Sequence, residues 1–404
     1  MATIKPFAAL RPNPELAAQI CELPYDVMSS DEARQIAGAN PLSFLHVSKP
    51  EIDLPPSTDP YAPEVYRKAQ TNFRNLIQRE ALCQDSTACL YLYRQVMGKH
   101  SQVGLVGLAS CEEYLQGKIK KHELTRPDKE DDRVRHIEAL NSQTGPVFLV
   151  HPAQKAIDSL IKERTAQPPA IDFTAADGVS HTAWVIREEQ DIVMLEREFA
   201  GMDCLYIADG HHRCAAAARV YHSRKGSGQS GFFLSVIFPH NQVQILPYNR
   251  VLKDLNGRSP EQLLQQLDRV FSIQPGTGQT PAHRHELGLY LAEKWLTLKF
   301  RPQFAAATEA VEKLDVTLLQ KHVLEPIFGI DDPRRSKRIA FVGGIRGVEE
   351  LQKLVNLREY ACAFSMSPTG MEELMTIADA GGIMPPKSTW FEPKLRDAMF
   401  CHLI

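Results

Sequence analysis

Residues 204–221 constrain the fold more than any other stretch. Cys204-Leu205-Tyr206-Ile207-Ala208 is a short apolar run and reads as a buried strand. Cys214-Ala215-Ala216-Ala217-Ala218-Arg219-Val220-Tyr221 reads as a helix, because alanine has the highest helix propensity. Between them stands Asp209-Gly210-His211-His212-Arg213, an Asp-Gly turn that sets two imidazoles and a guanidinium on the first helical turn. Unpaired backbone N–H groups and the positive end of the helix dipole point to the same place. A strand-turn-helix corner needs only the Asp-Gly; the added His-His-Arg predicts an anion site, most simply one for phosphate.

The rest of the chain bounds that site. With 404 residues, 43% hydrophobic and 24% charged, it can build two or three domains. A net charge of −3 supplies no basic field for nucleic acid or an anionic membrane. No run of about 18 apolar residues predicts a membrane span, and Met1-Ala2-Thr3-Ile4-Lys5-Pro6-Phe7 lacks the apolar stretch of a secretory leader. The eight cysteines include no Cys-x-x-Cys pair, so neither a disulfide framework nor a zinc knuckle is indicated, and a reduced cytoplasmic protein is expected.

Periodicity predicts a helix entered at Ser29-Ser30-Asp31-Glu32, a helix over 61–82, and a hairpin of strands 89–96 and 103–109. Thr125 is expected to cap a charged helix running to Asn141. Strands are expected at 147–150, 182–186, 204–208, 232–238 and 243–247, the last two as a pair. Beyond 258 the alternation of a helix (260–270), a strand (295–300), a long helix (311–328), a strand (339–343), a helix (348–357), a strand (362–366) and a helix (371–380) fits an α/β layer. The expected division is therefore 1–258 and 259–404, in a mixed α+β chain of the α/β kind.

Two look-alike motifs fail on context. Gly226-Ser227-Gly228-Gln229-Ser230-Gly231 has dinucleotide-site spacing but follows a helix and precedes a strand, the reverse of what that chemistry needs. Asp177-Gly178 is followed by an extended segment and reads as a tight turn. P-loop, His-Glu-x-x-His and Gly-x-Ser-x-Gly patterns do not occur. Two other stretches stay open. His122-Glu123 enters a charged segment that is either a solvated helix face or a loop placing a carboxylate for general-base work or for orienting a metal-bound water. Met384-Pro385-Pro386-Lys387-Ser388-Thr389-Trp390-Phe391 is either structural closure or a lid presenting Lys387 and Ser388 to an anion.

Pro6-Phe7-Ala8-Ala9-Leu10-Arg11-Pro12, Pro24-Tyr25-Asp26-Val27, Lys120-Lys121-His122-Glu123, Ala208-Asp209-Gly210-His211-His212-Arg213 and the 384–391 stretch together resemble the bacterial and archaeal family called domain of unknown function 1015, whose name assigns no reaction. More distantly, the His122-Glu123 loop and the Asp-Gly-His-His-Arg turn resemble the ParB-like superfamily, in particular its free-serine kinases. That resemblance implies a ParB-like, serine-kinase-like core elaborated with additional α/β layers. It further implies Glu123 as base, with Asp209 and His212 beside it in catalysis. His122, Gly210, His211 and Arg213 would bind phosphate, Asp209 would be a possible Mg2+ ligand, and ATP or ADP would be co-substrate. The expected function is phosphoryl transfer to a small hydroxylated metabolite, serine above others. The alternatives are a phosphoserine phosphatase and a non-catalytic nucleotide- or metabolite-binding protein.

Overall fold

A computed structural model describes residues 2–306 and 308–404. The chain divides into two compact units. The first holds the residues up to Val243 and takes back Pro393–Ile404; the second is Gln244–Glu392. The division therefore falls earlier than the expected 258/259, and the C-terminal dozen residues rejoin the first unit. The Asn256–Pro260 turn is interior to the second unit. Its Asn256 amide donates to the Ile327 carbonyl at 3.0 Å, and Arg338 bonds Asp254 at 2.8 Å.

The first unit is built on a mixed sheet of nine strands among the described residues. From one edge the order is Ile119–Lys120, Leu205–Asp209, Val147–His151, Phe232–Pro239, His100–Ser110, Leu90–Met97, Ser180–Ile186 and Ile171–Thr174. Ile4–Lys5 pairs separately with His100–Ser110. Two pairings are parallel, Leu205–Asp209 with Ile119–Lys120 and Phe232–Pro239 with Val147–His151. The expected hairpin is Leu90–Met97 with His100–Ser110. Phe232–Pro239 has neighbours on both sides, so it cannot pair with 243–247 as expected. Gln244–Leu246 instead pairs with Trp390–Glu392 inside the second unit.

The alanine-rich helix His211–Ser223 shows why its side chains are small. Cys214 and Ala217 join the main core with Leu149, Leu205, Ile207 and Phe233. Ala216 and Val220 pack on Ile137 of the helix Pro127–Leu140. Buried on both faces, between sheet and helix, it has no room for larger residues at these positions. Helix Pro127–Leu140 starts one residue later than the expected Thr125 cap: Arg126 is the N-cap without a side-chain bond, and the Thr125 hydroxyl donates to Glu130. Asn141, in the left-handed region at φ 52°, ends it as expected.

The second unit carries an antiparallel sheet in the order Phe271–Pro275, Lys294–Phe300, Glu286–Leu291, Cys362–Ser365, Tyr248–Leu252, Ile339–Gly343. Helices Pro260–Leu267, Gly347–Asn356 and Met371–Asp379 fall where periodicity put them. The expected long helix over 311–328 is broken. Leu314 is extended (φ −65°, ψ 135°); a single 3-10 turn, Val311–Lys313, precedes it, and an α-helical stretch Asp315–Leu319 that continues as π-helix over Gln320–Leu324 follows. Asp315, next in the chain, accepts from the His285 amide at 3.0 Å, an anchor that fixes the bend. No helix among the described residues is long and apolar enough to cross a membrane.

Candidate functional site

Strand Leu205–Asp209 delivers its last residue through an irregularity. Ile207 pairs with Leu149 and Asp209 with Phe148, so Ala208 is an extra residue and Asp209 is re-aimed at the sheet edge. Gly210 follows at φ 95°, a conformation open to glycine and strained for other residues, although a Cβ there would meet only ordinary contacts. Helix His211–Ser223 begins at once. Its first intrahelical bonds run from the Arg213 and Cys214 amides to the Gly210 carbonyl, which leaves the His211 and His212 amides ahead of the ladder.

The short edge strand Ile119–Lys120 runs parallel to Leu205–Tyr206, in register Ile119 with Leu205. Both strands therefore end on the same side, and His122-Glu123 emerges beside Ala208 and Asp209. Two hydrogen bonds clasp this loop to the helix start. The His122 amide donates to His211 Nε2 at 3.4 Å, and the Arg126 amide donates to His212 Nε2 at 3.1 Å. The His122 and His211 rings meet edge to face with centroids 4.5 Å apart. Metal-competent atoms of His122, Glu123 and His211 all lie within 4.8 Å of one another.

Electrostatics differ sharply across a few ångströms. His122 is 2% exposed, and its ring nitrogens make no well-formed hydrogen bond, only an approach to the Ile207 carbonyl; burial pushes its imidazole down to about 4. Burial, then the neighbouring His122, also holds His211 well below the usual imidazole range. Burial alone would raise the Asp209 carboxyl, but Lys394 at 2.8 Å, with Arg213, holds it well below the usual carboxylate range. The turn thus presents a carboxylate paired with an ammonium and, beside it, two neutral imidazoles.

Lys394 lies just beyond the 384–391 stretch, and no sequence expectation gave it a role. It lies in Trp390-Phe391-Glu392-Pro393-Lys394, and its unit membership follows from the C-terminal return. Lys387 and Ser388, the expected anion donors, belong to the second unit. There the Lys387 ammonium sits over the Tyr248 ring at 5.3 Å, and its carbonyl accepts from Arg250 at 3.1 Å. Ser388 is buried and donates to the Pro385 carbonyl at 2.6 Å. Trp390 meets Tyr248 edge to face at 5.0 Å and Phe391 is buried, so these aromatics are part of that unit's packing.

Arg213 also departs from its expected station. It turns into the fold, donating to the Pro146 carbonyl at 2.7 Å and approaching Asp26 at 3.5 Å. Below it is a cavity of about 40 Å³ lined by Tyr25, Arg133, His136, Gln143, Arg213 and Asp397. That volume holds roughly three waters and no nucleotide. Gly145 makes the packing possible, since a Cβ would collide with Asp397. Asp209, the expected metal candidate, lies outside the His122–Glu123–His211 trio.

A family model described as "Protein of unknown function (DUF1015)" matches residues 4–317, which leaves the 384–391 stretch outside the match. No curated protein matches. Among solved structures, a conserved hypothetical protein from Pyrococcus furiosus is similar at 15% identity and TM-score 0.37, covering 72% of this chain and 92% of its own. A free serine kinase in complex with AMP is similar at 15% and 0.38, covering 70% and 86%. SbnI with C-terminal truncation from Staphylococcus aureus is similar at 11% and 0.39, covering 72% and 85%.

Proposed function

This chain belongs to the DUF1015 family, and we propose that its first unit transfers a phosphoryl group from a nucleotide, ATP or ADP, to the hydroxyl of a small metabolite of the serine type. The observation that carries the reading is the meeting of Glu123 and His122 with His211 at the start of one helix, across 87 intervening positions of chain. Phosphoryl transfer asks for positioning and charge stabilisation more than for covalent chemistry. The leading amides of the helix receive phosphate oxygens, and Lys394 adds cationic charge beside them. Glu123 takes the hydroxyl proton as the hydroxyl oxygen bonds to the terminal phosphorus. The bridging P–O bond breaks and its electron pair leaves with the nucleotide.

His211 and His212 serve this reaction by holding the Glu123 loop in place through the two amide bonds. Arg213 supports the turn from below. Mg2+ enters this reading only as a companion of the nucleotide phosphates: it favours oxygen donors, whereas the trio at the turn offers two imidazoles and one carboxylate.

The test is direct. Purified protein is incubated with L-serine and ATP or ADP, and O-phosphoserine is followed by phosphorus NMR. Phosphoserine that requires both substrates is expected, with Glu123→Gln lowering turnover by about 10²–10⁴ at little cost in nucleotide affinity. Absence of product with both nucleotides overturns the reading. Release of phosphate from phosphoserine without nucleotide replaces it by the phosphatase alternative.

A further inference from the structure

We propose that His122, Glu123 and His211 bind one divalent transition-metal ion of the Zn2+ class, with an open coordination position beside the first turn of the helix. The inference rests on the phosphoryl-transfer reading of this cluster and deepens it. One Glu123 carboxylate oxygen goes to the ion.

Two features converge. The donor set is two nitrogens and one oxygen, the composition that catalytic zinc sites pair with a vacant fourth position. Imidazole suits Zn2+, Cu2+, Ni2+ and Fe2+, while an all-oxygen shell is the preference of Mg2+ and Ca2+. Second, His122 is 2% exposed and its ring nitrogens make no well-formed hydrogen bond, only an approach to the Ile207 carbonyl, although buried polar atoms are normally satisfied. Its nitrogens belong to the trio, so a metal at that place gives the orphan its missing partner.

The atoms lie within 4.8 Å of one another, against roughly 3.4 Å between ligands on a tetrahedral ion with bonds of about 2.0–2.1 Å. Side-chain rotation must draw them together. Glu123 is on a loop outside any helix or strand, and an ion on His211 Nε2 takes the place of the His122 amide, leaving the loop held by the Arg126 amide on His212 Nε2. Asp209 is not part of the set because Lys394 occupies one of its oxygens.

The experiment titrates chelator-treated full-length protein with Co2+, read by visible absorption and by metal analysis after gel filtration. One Co2+ per chain with the intense bands of four- or five-coordinate geometry, displaced by Zn2+, is expected. His122→Ala, His211→Ala and Glu123→Gln should each weaken binding by more than the roughly 10–100-fold that outer-shell changes cost. His283→Ala, at an exposed position of the other unit, should leave it unchanged. If His122→Ala fails to fold, Glu123→Gln and the wild-type spectrum still decide. Weak, octahedral-type absorption, or Glu123→Gln and His211→Ala proteins that bind like wild type, overturns the site. Metal binding is read without nucleotide or serine, so its failure is separate from failure of phosphoryl transfer. Phosphoserine formed with Mg2+ alone and no Co2+ binding removes the ion and leaves the reaction. Tight Co2+ binding with no phosphoserine does the reverse.

Discussion

Asp397 should make the protein less stable as pH rises through neutrality, and Asp397→Asn should remove that dependence. The carboxyl is 3% exposed, and its Oδ1 has no hydrogen-bond partner. Burial pushes it up to about 7 even though Arg213 and Arg133 oppose the shift, with Asp26 and Glu22 reinforcing it. In the unfolded chain the same group titrates near 3.9. Between those values the native state binds a proton that the unfolded state does not, so stability is gained at the acid side and lost as pH climbs through about 7. From pH 6 to pH 8 the loss is about 1.3 kcal/mol for this one group. Urea unfolding of wild type and Asp397→Asn at both pH values isolates it, because the histidines common to both proteins cancel in the difference. The wild-type curve should approach or fall below the variant at pH 8 and regain about 1.3 kcal/mol on it at pH 6. Two curves that stay parallel across that window would refute the reasoning and mean that the two guanidiniums keep the carboxylate ionised.

Three further outcomes are expected. Arg213→Ala should lower the free energy of unfolding by about 1.5–3 kcal/mol, because it removes a charge-assisted bond to the buried Pro146 carbonyl; unchanged stability with lost nucleotide affinity in calorimetry would return Arg213 to the anion. Lys394→Met should cost a similar ~1.5–3 kcal/mol through the Asp209 carboxylate and weaken ADP binding in calorimetry; a folded variant with wild-type affinity would remove Lys394 from the phosphate site. His136, pushed down to about 4 by burial and then by Arg133, is neutral in the native state, so stability is lost as pH falls below about 6.5. Between pH 7.5 and 5 this one ring should account for about 2 kcal/mol, absent in His136→Gln, and equal pH slopes in urea unfolding would contradict it.

The site was legible where chemistry and local structure coincide in a few residues. Asp209-Gly210 preceding a run of alanines specifies strand, left-handed glycine and helix, and the structure has all three. Helices and strands with strong periodicity were readable for the same reason. What could not be read depends on non-local pairing. Ile119–Lys120 is two residues long, and only its parallel register with Leu205–Tyr206 carries His122-Glu123 to the turn. The extra residue at Ala208 and the return of Pro393–Ile404 leave no periodic trace. Lys394 is a lysine like many others until the chain brings it to Asp209.

The His-His-Arg triplet carries the sharper lesson about motifs. From its spacing, three cationic or donor side chains at a helix start suggest three hands on a phosphate. In the fold they divide the labour. His211 and His212 accept amides from the incoming loop, and Arg213 braces Pro146 and Asp26 beneath it. A neutral imidazole accepting an amide bond holds a loop in one position, which a protonated ring could not do because both its nitrogens would be donors. The burial that keeps His211 neutral therefore serves the geometry of Glu123 first. In the proposed reaction the phosphate falls to the backbone amides and Lys394. Catalytic strength in such an arrangement comes from how rigidly the loop is held, so substitutions at His212 should disturb Glu123 placement before they disturb phosphate affinity. A His212→Ala protein that binds ADP normally but loses turnover fits this division, and one that loses ADP affinity in proportion returns His212 to the phosphate.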